Sequence, residues 1–328
     1  MAENFSYSKL NTYENCGFKY KLVYVDKHFI YDETVATEYG TLIHKTEESI
    51  ANSIVDGKPI DYDALKKSFL DTAAKIEKKY PKEYNEVNPK SGRTYKQKTE
   101  QYVTSGIHRL ETLMNAHPSY KIVGIEKKFN FTDDKGRTFK GAIDRVIYDG
   151  LTNKYIIQDI KSYDVELEHA DLVTPLQFVI YILAATKMYD TTEENFICQY
   201  DLPLCDTTQD AGTKGFMNRG RKKLDSLFEK IGNKDFKPKP TPLCYWCQFS
   251  YTNPHLKEEG KNLCPYYSHW TREKPSFDVE NQWMGEENHE RILEAFKKLK
   301  SEEIVSEEIV VVPVEKPKDV RVMRVYRK

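Results

Sequence analysis

At 328 residues, with 39% hydrophobic and 31% charged side chains, the chain can bury one large core or two modest ones and is too polar for a membrane-embedded protein. A formal net charge of -1 excludes the overall basicity that marks many nucleic-acid binders, so a role of that kind has to rest on local clusters. No stretch approaches the roughly 18 continuous apolar residues of a membrane span, and the opening MAENFSYSKL has no basic region followed by an apolar run, so an intracellular, cytoplasmic location is expected.

In chain order, residues 5–24 predict a short helix capped by Ser6 or Ser8 and carrying Leu10 and Tyr13, with Cys16 and Gly17 at its end. Residues 38–54 carry the stripe Leu42, Ile43, Ile50 and Ile54 and predict a helix on which Gly40 and His44 share a face. Gly40 lets a backbone or a ligand come close. His44 taken alone reads as a polar residue at a helix edge. Residues 57–118 read as a helical insertion: an amphipathic helix over 61–80 stopped by Pro81, a polar loop over 81–92 and renewed helix over 96–114. Two basic clusters, Lys90, Arg93, Lys96 and Lys98, then Arg219, Arg221, Lys222 and Lys223, read as solvated faces unless they border a groove.

Residues 121–131 alternate, with Val123, Ile125, Phe129 and Phe131 facing inward and Glu126 among the outward side chains, as in a half-buried strand. A DDKG turn at 133–136 leads to residues 141–162, GAIDRVIYDGLTNKYIIQDIKS, two apolar-rich segments around the turn formers DGLTN. The expectation is a three-stranded antiparallel meander. Asp144 shares a face with Ala142 and Val146, while Tyr155, Ile157, Asp159 and Lys161 have one parity. Pairing of the two strands brings Asp144, Asp159 and Lys161 together near one end of the hairpin. Charges on an apolar strand are costly without a partner; a divalent metal is such a partner.

Residues 174–189 predict a helix with Thr174 as N-cap, Pro175 in the first helical position and Gln177 three after the cap, where it completes a capping box. Gln177 and Tyr181 lie on one face; a role for Gln177 at a site requires it to reach forward, not back to Thr174. Residues 195–204 alternate as a strand that follows this helix, a crossover that adds a parallel strand, and residues 222–231 form a short basic helix. The fold class is therefore α/β, a mixed central sheet flanked by helices.

Residues 238–267 are rich in Pro, Tyr and Cys. Cys244 and Cys247 form a C-x-x-C pair, Cys264 follows after sixteen residues, and Cys16 is the candidate for a fourth ligand. Four thiolates bind zinc or an iron–sulfur cluster, and spacing does not choose between them; His255 and His269 add to the zinc alternative. Tyr245 and Trp246 shield such a group or stack on bases. Residues 286–299 predict an amphipathic helix, and residues 272–328 read as that helix plus a flexible, partner-binding tail.

Hard cations such as Mg2+ or Mn2+ prefer oxygen ligands, and Asp144, Asp159 and the Ile160 carbonyl supply them, with His44 and Glu126 as further candidates. Lys161 projects toward an attacking water. Alone, a D-x-K triplet is common. In order, however, the chain carries G-x-x-x-H at 40–44, G-x-x-D at 141–144, D-x-K at 159–161 and Q-x-x-x-Y at 177–181. It thereby resembles the PD-(D/E)XK nuclease superfamily, in particular its RecB-like branch, over about residues 5–270. The resemblance implies that His44, Asp144 and Asp159 bind metal, that Lys161 acts at the water, and that Gln177 and Tyr181 support the site or contact DNA.

One cysteine before the nuclease motifs and three after them is similar to the CRISPR-associated RecB-like, AddB-like and phage exonucleases. Through that resemblance Cys16, Cys244, Cys247 and Cys264 are expected to hold a [4Fe-4S] cluster. The sixteen residues before Cys264 depart from the shorter family gap and keep structural Zn2+ as the alternative. The expected layout is a nuclease domain over 1–271, with an insertion at about 57–118 and a cluster module of Cys16 and 244–264. The expected function is a metal-dependent DNA exonuclease on single-stranded or resected ends, in recombination, repair, phage DNA processing or a CRISPR setting with a partner protein. A structure-selective endonuclease and a catalytically silent DNA-binding scaffold are the rivals.

Overall fold

A computed structural model of the chain describes residues 4–28, 33–239, 241, 243–244, 247–250, 263–266, 287, 289–294 and 297–298. It divides into Met1–Lys239 and Pro240–Lys328. Tyr245, Trp246, His255, His269 and residues 299–328 lie outside the described residues.

The first unit opens with a short strand β1 (Asn4–Phe5) and α1 (Tyr7–Asn15), whose cap is Ser6: its hydroxyl accepts from Lys9 N at 3.2 Å. Cys16 ends α1 and caps α2 (Gly17–Tyr20), its sulfur accepting from Lys19 N at 3.4 Å. The long helix α3 (Val35–Val55) starts at a reciprocal Thr34–Thr37 capping box, which ties down two of the amides every helix start leaves unpaired. Residues 62–116 carry four helices, α4 (Tyr62–Lys79), α5 (Pro81–Asn85), α6 (Tyr95–Thr104) and α7 (Arg109–Ala116), so the loop expected over 81–92 begins with a short helix. The helix expected over 96–114 is thus two helices with a 3-10 turn between them at Gly106–His108. A Cβ on Gly106 would sit 2.6 Å from the Pro203 carbonyl oxygen, so backbone contact with the sheet fixes the break there. Pro81 both ends α4 and opens α5, since a missing N–H costs nothing at a first helical position.

The sheet contains β1, β2 (Tyr120–Thr132), β3 (Thr138–Asp149), β4 (Lys154–Ile160), β5 (Phe196–Leu202) and β6 (Thr207–Ala211). β2, β3 and β4 form the expected antiparallel meander, and β5 pairs parallel to β4 after the crossover through α8 (His169–Val173) and α9 (Leu176–Met188). β2 occupies one whole edge of β3. On the other edge β1 pairs at Phe139 and β4 from Arg145 onward, so residues 140–144 face an opening where the sheet forks. Helices cover both faces. One core joins α1, α9 and α10 (Phe216–Gly232) to the sheet through Leu10, Phe178, Ile182, Ile157 and Leu224. The other joins the insertion and α3 through Ile43, Phe69, Tyr102 and Ile160. The α/β architecture, a mixed sheet flanked by helices, is as expected from the sequence.

Several expectations need correction. The N-cap position of α9 belongs to Pro175, not Thr174, and no side chain caps it. Alternation in β2 is broken by a bulge between Ile122 and Gly124 and by positive φ at Glu126, so Val123 is exposed rather than inward. The short basic helix is a long one, with Arg221 paired to Glu193 and Arg219 hydrogen-bonded to Thr174 Oγ1 at 2.9 Å. Lys98 is buried and pairs with Asp164 at 3.2 Å, which removes it from any solvated cluster. By length and composition His169–Met188 equals a membrane span, with mean hydropathy 1.2. Its apolar side chains Phe178, Val179, Ile180 and Ile182 are core residues, each worth about 1.5–3 kcal/mol on burial.

In the second unit, Cys247 N donates to the Cys244 carbonyl at 3.1 Å and Thr241 N donates to the Cys244 sulfur at 3.4 Å. Cys264 N donates to the Phe249 carbonyl at 2.7 Å, in a bridge between Ser250 and Cys264. Described residues from 287 onward are helical, and the His289 ring stacks on Tyr266 with Nδ1 2.5 Å from its hydroxyl.

Candidate functional site

Three elements converge at the fork. α3 brings His44, β3 brings Asp144, and β2 brings Glu126, which falls opposite Asp144 between the pairs Ile125–Arg145 and Lys127–Ile143. Ligand atoms of His44, Glu126 and Asp144 lie within 4.8 Å of one another, the spacing of a metal site. Glu126 has φ 44°. A side-chain-bearing residue in the left-handed region stores roughly 1–3 kcal/mol of strain, and such strain gathers where geometry serves a function. Gly40, one helical turn before His44, lies so close to the chain beyond β4 that a Cβ there would be 3.3 Å from Ser162 Oγ.

Asp144 Oδ2 accepts from Ile160 N at 2.8 Å and lies 3.6 Å from His44 Nδ1. Asp159 is almost wholly buried. Its Oδ1 accepts from Gln177 Nε2 at 2.7 Å, and Gln177 Nε2 lies 2.8 Å from the Tyr181 hydroxyl. Gln177 therefore reaches forward to the site, which the absence of a capping box on α9 leaves it free to do. Asp159 Oδ2 makes no hydrogen bond of regular geometry among the described residues and meets the Lys161 ammonium at 2.6 Å. Lys161 N donates to the Asp201 carbonyl at 2.8 Å, which extends the β4–β5 pairing beyond the strand and fixes where Lys161 leaves it.

The electrostatics describe a surplus of negative charge. Burial, then the Asp159 carboxylate, push the Asp144 carboxyl up to about 8, while the Ile160 N–H works against them. Burial raises Glu126 as well, with Glu48 adding to it. Burial lowers His44, although Asp159 and the Ile160 carbonyl facing its ring oppose that shift. Burial also acts to lower Lys161, but Asp159 outweighs it and the ammonium is raised overall. Two buried carboxylates this close ionise together only if a cation joins them. Carboxylate and imidazole donors suit Mg2+ or Mn2+, and the partly unsatisfied Asp159 Oδ2 fits that requirement.

Of the residues singled out in the nuclease motifs, His44 and Asp144 bring ligand atoms together with Glu126; Asp159, expected beside them as a ligand, is outside that group and is tied to Lys161 and, through Gln177, to Tyr181. Sequence reasoning missed a buried set beneath them: Glu47, Arg145, Gln158, Asp201 and Arg109. The available signal was a charged or amide side chain interrupting each apolar pattern. Among the described residues, no cysteine belongs to the metal-ligand group. Cys16, half-buried, accepts at its sulfur from Lys19 N and Lys239 N, both at 3.4 Å.

The model of the PD-(D/E)XK nuclease superfamily matches residues 4–252. This chain belongs to the PD-(D/E)XK nuclease superfamily. PD-(D/E)XK nucleases use divalent metals and act on nucleic acid, so membership implies a metal-dependent nuclease, and the His44–Glu126–Asp144 group is its candidate metal site. No curated protein matches the chain. Among solved structures, the crystal structure of SSO0001 is similar at 15% identity over 71% of this chain and 91% of that one, with a TM-score of 0.25.

Proposed function

We propose that this PD-(D/E)XK nuclease is a divalent-metal-dependent DNA exonuclease of the RecB-like type, acting on single-stranded or resected ends in the cytoplasm. The observation that carries the reading is the convergence of His44, Glu126 and Asp144 within 4.8 Å beside an Asp159–Lys161 pair held by Gln177. His44, Glu126, Asp144, Asp159 and the Ile160 carbonyl would hold Mg2+ or Mn2+. Bound there, such an ion polarises the phosphodiester and lowers the pKa of a water.

The chain's own groups do the rest. Lys161 orients the attacking water and steadies charge that develops on the phosphate. Gln177 fixes the rotation of Asp159, and the buried Tyr181 hydroxyl fixes Gln177. Water adds its oxygen to phosphorus and releases a proton to solvent, the bond to the departing 3′ or 5′ oxygen breaks, and that oxygen takes up a proton from solvent. Tyr7 and Tyr163 lie near Lys161, and Tyr163 is 47% exposed. Such aromatics offer faces on which bases stack.

Cys16, Cys244, Cys247 and Cys264 are proposed to hold a structural [4Fe-4S] cluster, on the strength of the cysteine order shared with RecB-like exonucleases. Iron, sulfide and zinc content after anaerobic purification checks this: zinc without iron replaces the cluster with the zinc alternative. The functional test is Mg2+- or Mn2+-dependent degradation of end-labelled linear and circular single-stranded DNA, with Asp159→Ala alongside. Shortening of the linear substrate alone, lost in the variant, is the expected result. Cutting of circles converts the reading to an endonuclease, and binding without cleavage converts it to a silent scaffold.

A further inference from the structure

Beneath the carboxylates, on the opposite side of β3 and β4, lies a second set of charges that membership of the family does not explain. Arg145 and Asp201 are buried side chains, as is Glu47, and Arg109 is nearly so. Arg145 Nε donates to Gln158 Oε1 at 2.7 Å, its NH2 pairs with Asp201, and its NH1 lies 3.5 Å from Glu47 Oε2. Arg109 from α7 pairs with the other oxygen of Asp201, and the Tyr102 hydroxyl donates to Glu47 Oε1 at 2.8 Å. Two guanidinium groups thus face two carboxylates in the interior.

Stability does not account for this arrangement. The surrounding core is apolar, with Ile147, Ile156 and Ile160 on the same strands, and apolar side chains of similar volume hold such a core as well as a buried ion pair or better. The network does supply direction. Four of its members are tied to residues of the candidate site: Arg145 follows Asp144, Gln158 precedes Asp159, Glu47 is one helical turn beyond His44, and the Asp201 carbonyl holds Lys161 N. Arg145 and Gln158 are also the last paired residues of the β3–β4 ladder before the fork. Beyond them no strand pairing fixes Asp144 relative to Asp159. The planar guanidinium, hydrogen-bonded across that last rung and to β5 and ion-paired at 3.5 Å with Glu47 of α3, ties the segments that carry the site to one another.

We infer that Arg145, supported by Glu47, Gln158 and Asp201, is a positioning residue that sets the spacing of His44, Asp144 and Asp159 for the divalent cation. The inference rests on reading that cluster as the metal site. Two variants test it: Arg145→Lys, which keeps the charge and loses the fork, and the apolar set Glu47→Leu/Arg109→Met/Arg145→Met/Asp201→Leu, which removes the charges together so that none is left unpaired. Mn2+ affinity is read by electron paramagnetic resonance on the intact chain, with thermal melting, kcat and KM alongside. Folded variants are expected to bind Mn2+ roughly 10- to 100-fold more weakly, the usual scale for outer supports of a metal site, and to lose kcat with KM for DNA unchanged. Wild-type Mn2+ affinity in either folded variant overturns the inference and leaves the metal site standing. A wild-type protein that binds no Mn2+ overturns both. If the apolar set does not fold, Arg145→Lys decides alone.

Discussion

Asp144 is held far from the chemistry of a free carboxyl group, and its titration has a measurable consequence. In the metal-free fold its carboxyl is held up to about 8, by burial first and by Asp159 second, against 3.8 for the free group. The folded state therefore holds this proton more tightly than the unfolded chain does. Stability from this residue is undiminished below the unfolded pKa and is lost as pH rises through the interval up to about 8. Metal-free protein is expected to melt at progressively lower temperature across that interval, Asp144→Asn to flatten the decline, and saturating Mg2+ or Mn2+ to cancel it, because the cation favours the anion. Gln177 acts one bond further out. Gln177→Ala frees Asp159 to rotate and is expected to lower kcat about 10- to 100-fold, while circular dichroism and melting stay near those of the wild type. An unchanged kcat would return Gln177 to a purely structural role.

At the scale of elements, the site depends on close approach between the helical insertion, α3 and the sheet. Gly106 lies where the insertion turns against the segment after β5; an added Cβ would meet the Pro203 carbonyl at 2.6 Å and the Tyr102 ring at 2.7 Å. Backbone cannot give way as a flexible side chain does. Gly106→Ala is expected to cost about 1–3 kcal/mol, read as a lower denaturant midpoint. Because Tyr102 also holds Glu47 at 2.8 Å, the same change is expected to weaken Mn2+ binding. The insertion is docked to the sheet and its flank by Lys98–Asp164, Arg109–Asp201 and Gln101 Nε2 to the Leu204 carbonyl at 2.7 Å. Polar latches of this kind fix one docking geometry, where an apolar contact alone would permit sliding.

For the whole molecule, the metal is expected to be a stabiliser as well as a reagent. A ligand that binds only the folded state adds about 2.7 kcal/mol at a hundred times its Kd. The melting temperature of the intact chain is therefore expected to climb with the logarithm of Mn2+ concentration above Kd, and to stay flat in Asp144→Ala. A flat wild-type response would remove the metal site from the fork. The sheet explains why a cation belongs there. A continuous ladder would have paired the backbone of residues 140–144 along that edge, whereas the gap there leaves the Asp144 carboxylate to accept from Ile160 N beside His44 and Glu126.

The sequence by itself determined the elements and most of the site, because those facts are local. Strand parity puts Asp159 and Lys161 on one face, helical spacing puts Gln177 with Tyr181, and turn residues place the hairpin that brings Asp144 to Asp159. Four spaced motifs in order were enough to point to the superfamily. Tertiary structure decided what depends on distant contacts. Glu126 enters the site through a bulged strand and a left-handed backbone that alternation cannot foresee. Gln177 was ambiguous between a cap and a site until α9 proved to begin at Leu176, one residue after Pro175. Lys98 reads as a solvated lysine until Asp164 is found beside it in the interior. Arg145 meets Glu47, Gln158 and Asp201 only because four separate segments pack around one guanidinium. A residue's parity and periodicity are set by its neighbours in the chain; its partner in the core is set by how the whole chain packs.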